Sequence, residues 1–207
     1  VTFGYGSSVH TSGGRTSGSA SQPVLDHVSL DVPQHGILGI QGPSGRGKST
    51  MLKLLMRYWD PDSGTISLSN IPLPQVDAGW RRRVQTMMGQ ETYLFDSTIR
   101  ENLTIACNSA DSAASVIPDS VLREALAKAS ALELVDALPN GLDTQVGELG
   151  GRLSEGEKQR IGLARMFLRD ADLVLFDEPT SRLDAYNESV ILGSVNNLAE
   201  QGSAVVL

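Results

Sequence analysis

The stretch that most constrains this chain is residues 42–50, GPSGRGKST, which satisfies the phosphate-binding pattern G-x-x-x-x-G-K-[ST] at each fixed position. Its flanks supply the context that the pattern requires. Ile37, Leu38 and Ile40 form the short apolar run of a buried strand, and Met51, Leu52, Leu54, Leu55 and Tyr58 recur at helical spacing. Gly42, Gly45 and Gly47 permit the backbone to curl until several N–H groups converge on an anion, and the helix starting near Lys48 adds the positive end of its dipole. A triphosphate suits such a loop, with Lys48 reaching the β and γ oxygens and the Ser49 hydroxyl ligating a bridging magnesium ion. Pro43, Ser44, Arg46 and Thr50 complete the nucleotide-binding run. A glycine-rich turn that binds nothing is the competing reading, and the strand-to-helix context outweighs it.

Composition sets limits on the remainder. A chain of 207 residues, 40% of them apolar, has room for one compact domain around a single core. With 17 Lys and Arg against 24 Asp and Glu, the net charge is -7, and the only basic run is Arg81 to Arg83, so the footprint of a nucleic-acid binder is missing. Cys107 is the sole cysteine, which excludes an internal disulfide and a cysteine-cluster metal site and fits a reducing compartment. No signal peptide and no apolar run of membrane-spanning length is seen, so the chain as given is expected to be soluble. Val1 opens in mid-strand and residues 204–207 read as a buried strand without a cap, the pattern of a piece of a longer protein.

Taken in order, Val1, Phe3 and Tyr5 alternate as in a half-buried strand, residues 6–22 form a Gly/Ser-rich segment expected to be a flexible loop, and residues 24–32 resume a strand pattern. Residues 60–64 make a turn before a strand at 65–69, and residues 84–88 make another apolar strand ending at Gly89 and Gln90. The spacing then turns helical over residues 98–103 and 121–138, with a polar loop at 108–118, so residues 91–150 read as a helical subdomain. Helices are expected over 154–168 and 186–199, with a strand at 173–176 between them.

That strand ends in Asp177 and Glu178, the arrangement that delivers a carboxylate beside a magnesium ion held by Ser49. Asp177 would orient the ion through water, and Glu178 would accept a proton from the water attacking the γ-phosphate. Gln90 would ligate magnesium and hydrogen-bond the same water. Alone, Asp-Glu after an apolar run is weak and a single glutamine means nothing; the upstream loop gives both their weight. Ser154 followed by Glu157 is a capping box, which either presents a helix N-terminus to a phosphate or merely starts a helix.

Together these motifs resemble the nucleotide-binding domain of ATP-binding cassette transporters, over essentially all 207 residues and in the correct order. GPSGRGKST looks like the Walker A loop, LVLFDE at 173–178 like Walker B, and LSEGEKQR at 153–160 like the family signature LSGGQ. Gln90 matches the Q-loop glutamine, Ser181 to Asp184 match the D-loop, and Tyr5 matches the aromatic that stacks on adenine, against the plain reading of an edge or core aromatic. LFDSTIREN after Gln90, and Thr144, Val146, Gly147, Glu148 and Gly150 before the signature, are similar to exporter-type cassettes, in which the segment at Glu148 touches the membrane domain.

The resemblance implies an α/β fold: a phosphate-loop core with a parallel sheet, an N-terminal antiparallel β subdomain and an inserted helical subdomain. It implies one ATP-binding domain over residues 1–207, ATP and Mg2+ as cofactors, and a place on the cytoplasmic face of the cell membrane. Two such domains would pair head to tail, each ATP held between one Walker A loop and the other domain's Leu153, Ser154 and Gly156, with Asp184 at the junction. Lys48, Gln90 and Glu178 would carry catalysis and Ser49, Gln90 and Asp177 the metal. The partners implied are a second such domain, as homodimer or heterodimer, and a transmembrane domain that sets the transported substrate.

Glu155 and Glu157 depart from the signature and place two carboxylates near a docking γ-phosphate, although Glu157 is occupied by capping. Arg182 replaces a small D-loop residue. The family's γ-phosphate histidine lies beyond Leu207, and His10, His27 and His35 cannot replace it, so slow hydrolysis is expected of this stretch alone. The leading expectation is the ATPase motor of an exporter. A low-turnover regulatory cassette of an asymmetric heterodimer is one alternative, and a soluble cassette ATPase acting on DNA or ribosomes is another. Against the last stand the acidic balance, the Glu148 run and the short interval between Gly42 and Leu153.

Overall fold

In a computed structural model, residues 1–5, 22–107, 117–181 and 183–207 are described. The expected loop at 6–22, all but Gln22, falls outside them, as do Arg182 and most of the polar loop at 108–118. The chain divides into two units: residues 1–32 with 40–81, and residues 33–39 with 82–207.

The first unit contains the phosphate loop and the first helix, α1 (Lys48–Leu55). It also holds a two-stranded antiparallel sheet of β2 (Ser67–Leu68) and β3 (Ile71–Pro72), closed by Ser69 and Asn70 at φ 50° and 66°. Two left-handed residues in a two-residue loop match the twist of the paired strands. A small core of Phe3, Leu25 and Leu54 is packed by Val1, Val28, Met51 and Ile66. The strands expected at 1–5 and 24–32 are reduced to isolated antiparallel bridges, Thr2 to Ser63 and Phe3 to Leu25. His27 has φ 49°, which breaks the extended run after Leu25, and Leu30 is 42% exposed and buries no face. The strand expected at 65–69 shrinks to β2 for a similar reason, since the tight turn begins at Ser69.

The second unit is built on a parallel sheet in the order β1-β6-β5-β4, formed by β1 (Gly36–Leu38), β4 (Gln85–Met88), β5 (Leu173–Phe176) and β6 (Ala204–Val206). The central strands are continuous apolar runs, as parallel strands covered on both faces must be, with Val174, Leu175, Phe176, Val205 and Val206 buried. The edge strand differs. Expected as buried, β1 pairs among the described residues only with β6 and leaves Ile37 42% exposed. Val84 belongs to α2 (Ala78–Val84), so β4 begins one residue later than its apolar run suggested.

Between β4 and β5 the chain forms α3 (Ile99–Thr104), α4 (Asp119–Lys128), α5 (Leu132–Asp136) and α6 (Glu155–Arg169), and α7 (Ala185–Glu200) precedes β6. Residues 121–138 are two helices rather than one, because Ser130 takes φ 52° after the first. Ile99, Leu103, Leu122, Leu126, Ile161, Leu163 and Ile191 are fully buried in the core that these helices share. No helix among the described residues is long and apolar enough to cross a membrane.

Candidate functional site

The first unit presents the phosphate loop. Gly45 and Gly47 have φ 78° and 90°, a region disfavoured for any residue with a Cβ. At Gly47 a Cβ would also lie 2.8 Å from Leu25 Cδ2. The helix that follows starts at Lys48 with no side-chain cap at Gly47, so the positive end of its dipole lies at the loop. The Lys48 ammonium donates to the carbonyls of Gly42 at 2.8 Å and Pro43 at 3.3 Å, folding over the mouth of its own loop. A loop of backbone donors with a cation at its rim fits a polyphosphate.

Tyr5 belongs to this unit and is coupled to the loop, its hydroxyl 2.9 Å from the Thr50 hydroxyl. Its ring meets Phe3 and Trp59 edge-on, each at a centroid distance of 5.3 Å, and remains 48% exposed. Neither Trp59 nor Lys53, whose ammonium lies 5.7 Å from the Trp59 centroid, was singled out from the sequence. Their separation from Tyr5 along the chain hid the cluster.

In the second unit β4 and β5 run parallel and in register, so Gln90 follows one strand end and Asp177 and Glu178 the next. The Asp177 amide donates to the Met88 carbonyl at 3.0 Å, and Asp177 is buried at 8% exposure. Glu178 has φ 50°, uncommon outside glycine, which turns the chain sharply as it leaves the strand. Ser181 N–H donates to the Glu178 carbonyl at 3.2 Å, and the Gln90 amide donates to the Ser181 hydroxyl at 3.2 Å. Gln90, Ser181 and the Glu178 backbone are therefore linked by hydrogen bonds, while Asp177 is tied to the end of β4 at Met88.

The capping box at Ser154 is formed on both sides. Glu157 N–H donates to Ser154 Oγ at 3.4 Å and Ser154 N–H donates to Glu157 Oε2 at 2.8 Å. Glu157 is thus engaged as expected. Glu155 lies 3.8 Å from the Lys158 ammonium, which partly offsets its charge. Leu153 packs against the core, and Gly156 sits where a Cβ would crowd Asn187. Asp184 caps α7 by accepting from Asn187 N–H at 2.9 Å and from the Asn187 side-chain amide at 2.8 Å. Those two bonds hold the Asp184 carboxyl below the usual carboxylate range.

One buried network was not anticipated. Asn102, the last residue of LFDSTIREN, is fully buried and holds the loop after Gln90 through bonds to Phe95, Ser97 and Thr98. Arg165 joins it from α6, donating to the Asn102 side chain at 2.7 Å and to the Tyr93 carbonyl at 2.8 Å. Burial pushes the Arg165 guanidinium below its ordinary range. An asparagine at a helical core position with an arginine on the signature helix was the available signal. Glu148 lies in an exposed 3-10 turn beside Leu149, which is 60% exposed. Among the described residues no three His, Cys, Asp or Glu cluster as a self-sufficient metal site.

A model of the ABC transporter family matches residues 25–181. A probable ABC transporter ATP-binding/permease protein of Haemophilus influenzae is 46% identical over 86% of this chain and 31% of its own length. The mitochondrial ATP-binding cassette sub-family B member 10 of Mus musculus is 39% identical over 89% of this chain and 25% of its length. The solved structure of a bacterial Atm1-family ABC exporter with ATP bound superposes with a TM-score of 0.81 at 30% identity, covering 100% of this chain and 32% of that one. The chain thus spans about a third or less of these relatives. With the phosphate loop, the paired strand ends and the capped signature helix, these matches show that the chain belongs to the ABC transporter family, as a nucleotide-binding domain of the exporter type.

Proposed function

We propose that this domain binds and hydrolyses ATP as the motor of an exporter, at the cytoplasmic face of a membrane. The observation that carries the reading is the phosphate loop, in which left-handed Gly45 and Gly47 lead into α1 with Lys48 at the rim. On nucleotide binding Lys48 exchanges its loop carbonyls for β and γ oxygens, and residues 42–50 supply backbone donors. Tyr5 offers its exposed ring to the adenine. Magnesium would be held by Ser49, Gln90 and Asp177 together with the phosphates, and supplies charge neutralisation at the γ-phosphate. Glu178 receives the proton of the attacking water, which Gln90 orients.

Two such domains are proposed to close head to tail on ATP, with Leu153, Ser154 and Gly156 of one domain meeting the nucleotide of the other and Asp184 at the junction. Support comes from the start of the 15-residue α6, where the dipole is positive at the exposed Ser154. Exposed Glu148 and Leu149 suit a contact with a transmembrane domain, which would choose the substrate.

The test is Glu178→Gln. Turnover should fall by at least about a hundredfold, as loss of a general base does, while ATP binding persists. Undiminished turnover sinks the assignment. If Glu155→Gly instead raises turnover by orders of magnitude, the native signature is throttled and the domain is a low-turnover cassette rather than a motor.

A further inference from the structure

The glycine of the signature has a neighbour within its own unit that explains it. A Cβ on Gly156 would lie 3.0 Å from both Cγ and Oδ1 of Asn187 and 3.3 Å from its Nδ2. Asn187 cannot readily give way, because its amide group donates to Asp184 Oδ2 at 2.8 Å while its backbone N–H donates to Asp184 Oδ1 at 2.9 Å. With the nitrogen turned to Asp184, the carbonyl Oδ1 is left against the first turn of α6, shielded from solvent and without a hydrogen-bond partner among the described residues. A buried acceptor held unsatisfied indicates that its position is dictated by its neighbours.

We infer that Asn187 is a positioning residue that clamps the first turn of α6 to Asp184, so that Ser154, Gly156 and Asp184 meet a second copy as one rigid edge. The inference rests on the ATP-driven pairing described above. Engagement of a nucleotide at Ser154 then bears on the Asn187 amide and, through its bond, on Asp184. Gly156 lacks a side chain because Asn187 occupies that space, whether or not a phosphate also approaches it.

A double-mutant cycle on the full chain tests the contact without reference to ATP. Gly156→Ala should lower the melting temperature when Asn187 is present, because the methyl group meets a side chain that is tied down. In an Asn187→Ala background the same change should raise the melting temperature, since alanine is the better helix residue and the space is open. An equal effect in both backgrounds overturns the clamp.

The second arm reads function. Asn187→Ala keeps the backbone cap on Asp184, so binding of a fluorescent ATP analogue should be unchanged while turnover falls about fivefold, the worth of one hydrogen bond, and cooperativity in ATP declines. Asn187→Asp keeps the shape but repels Asp184, and should lower turnover at least as far; it also carries the comparison if the alanine variant does not fold. Wild-type turnover and cooperativity in these variants refute the positioning role even where the thermal cycle succeeds. If the unmutated full chain neither turns over nor pairs on ATP while the thermal cycle holds, the motor reading falls and the positioning role falls with it.

Discussion

Replacing Asn102 by alanine should be among the most damaging single changes in the second unit. The side chain is fully buried and accepts from Phe95 N–H at 2.8 Å and from the Arg165 guanidinium at 2.7 Å. It also donates to the carbonyls of Phe95 and Thr98 and to the Ser97 hydroxyl, each at 3.0 Å. Truncation orphans two donors, one of them charged, at about 1–3 kcal/mol each. Lost bonds to the carbonyls and a small void bring the total to about 3–5 kcal/mol, well above the roughly 1 kcal/mol typical of point substitutions. Urea unfolding followed by circular dichroism measures it as a fall in midpoint at constant slope. Arg165→Met should be partly non-additive with Asn102→Ala, because the two side chains share one bond while Arg165 also holds the Asn102 and Tyr93 carbonyls. A loss below about 1 kcal/mol, or simple additivity, would refute the view that Asn102 and Arg165 jointly order the loop after Gln90.

Ser154→Ala removes the hydroxyl acceptor of the Glu157 N–H and should cost about 1 kcal/mol in chemical denaturation; the Glu157 carboxylate keeps its bond from the backbone N–H of residue 154, so Glu157→Ala in that background should cost a further, measurable amount. Tyr5→Ala should weaken ATP more than its loss of ring area alone predicts, since Thr50 loses its hydroxyl neighbour, and Tyr5→Phe should separate the two effects in a fluorescent-nucleotide titration. Acid stability follows from Asp119, Asp136 and Asp143, held below their ordinary values first by hydrogen bonds from Arg100 and Arg123. A depressed carboxylate contributes stability above its unfolded value and loses it as pH falls through the folded one, so melting temperature should be level from neutral pH down to about 5 and drop below about 4. Arg100→Met should shrink that drop; an unchanged acid profile would count against the assignment.

Much of the scaffold was legible because a few runs are strongly periodic. Residues 173–176 and 204–207 read as strands from continuous apolar character, and they hold the parallel strands β5 and β6, the latter ending one residue earlier at Val206. Where the period was weaker, local backbone chemistry decided. His27 and Ser130 adopt left-handed conformations that no propensity scale assigns to them, and each ends a run that hydropathy alone would continue. The edge position of β1 was equally hidden, since Ile37 has the composition of a covered residue and lacks only the second neighbouring strand.

The site divides along a similar line. Residues that act through the local shape of the backbone, such as Gly45, Gly47 and the Ser154 and Glu157 pair, announce themselves by spacing, and the geometry they adopt follows from it. Residues that act by holding two distant segments together leave no spacing to read. Asn102 and Arg165 are 63 positions apart yet bonded at 2.7 Å, and Asn187, far along the chain from Gly156, stands 3.0 Å from where a Cβ on that glycine would lie. What distinguishes these side chains in the sequence is only that an amide or a guanidinium stands where a core or helix-start residue would suffice. An amide at such a position loses solvation without gain unless a partner meets it, so its presence signals a contact that one-dimensional pattern cannot name. For this chain the consequence is functional. The glycine of the signature, which family resemblance assigns to a partner's phosphate, is required first by the asparagine beside it.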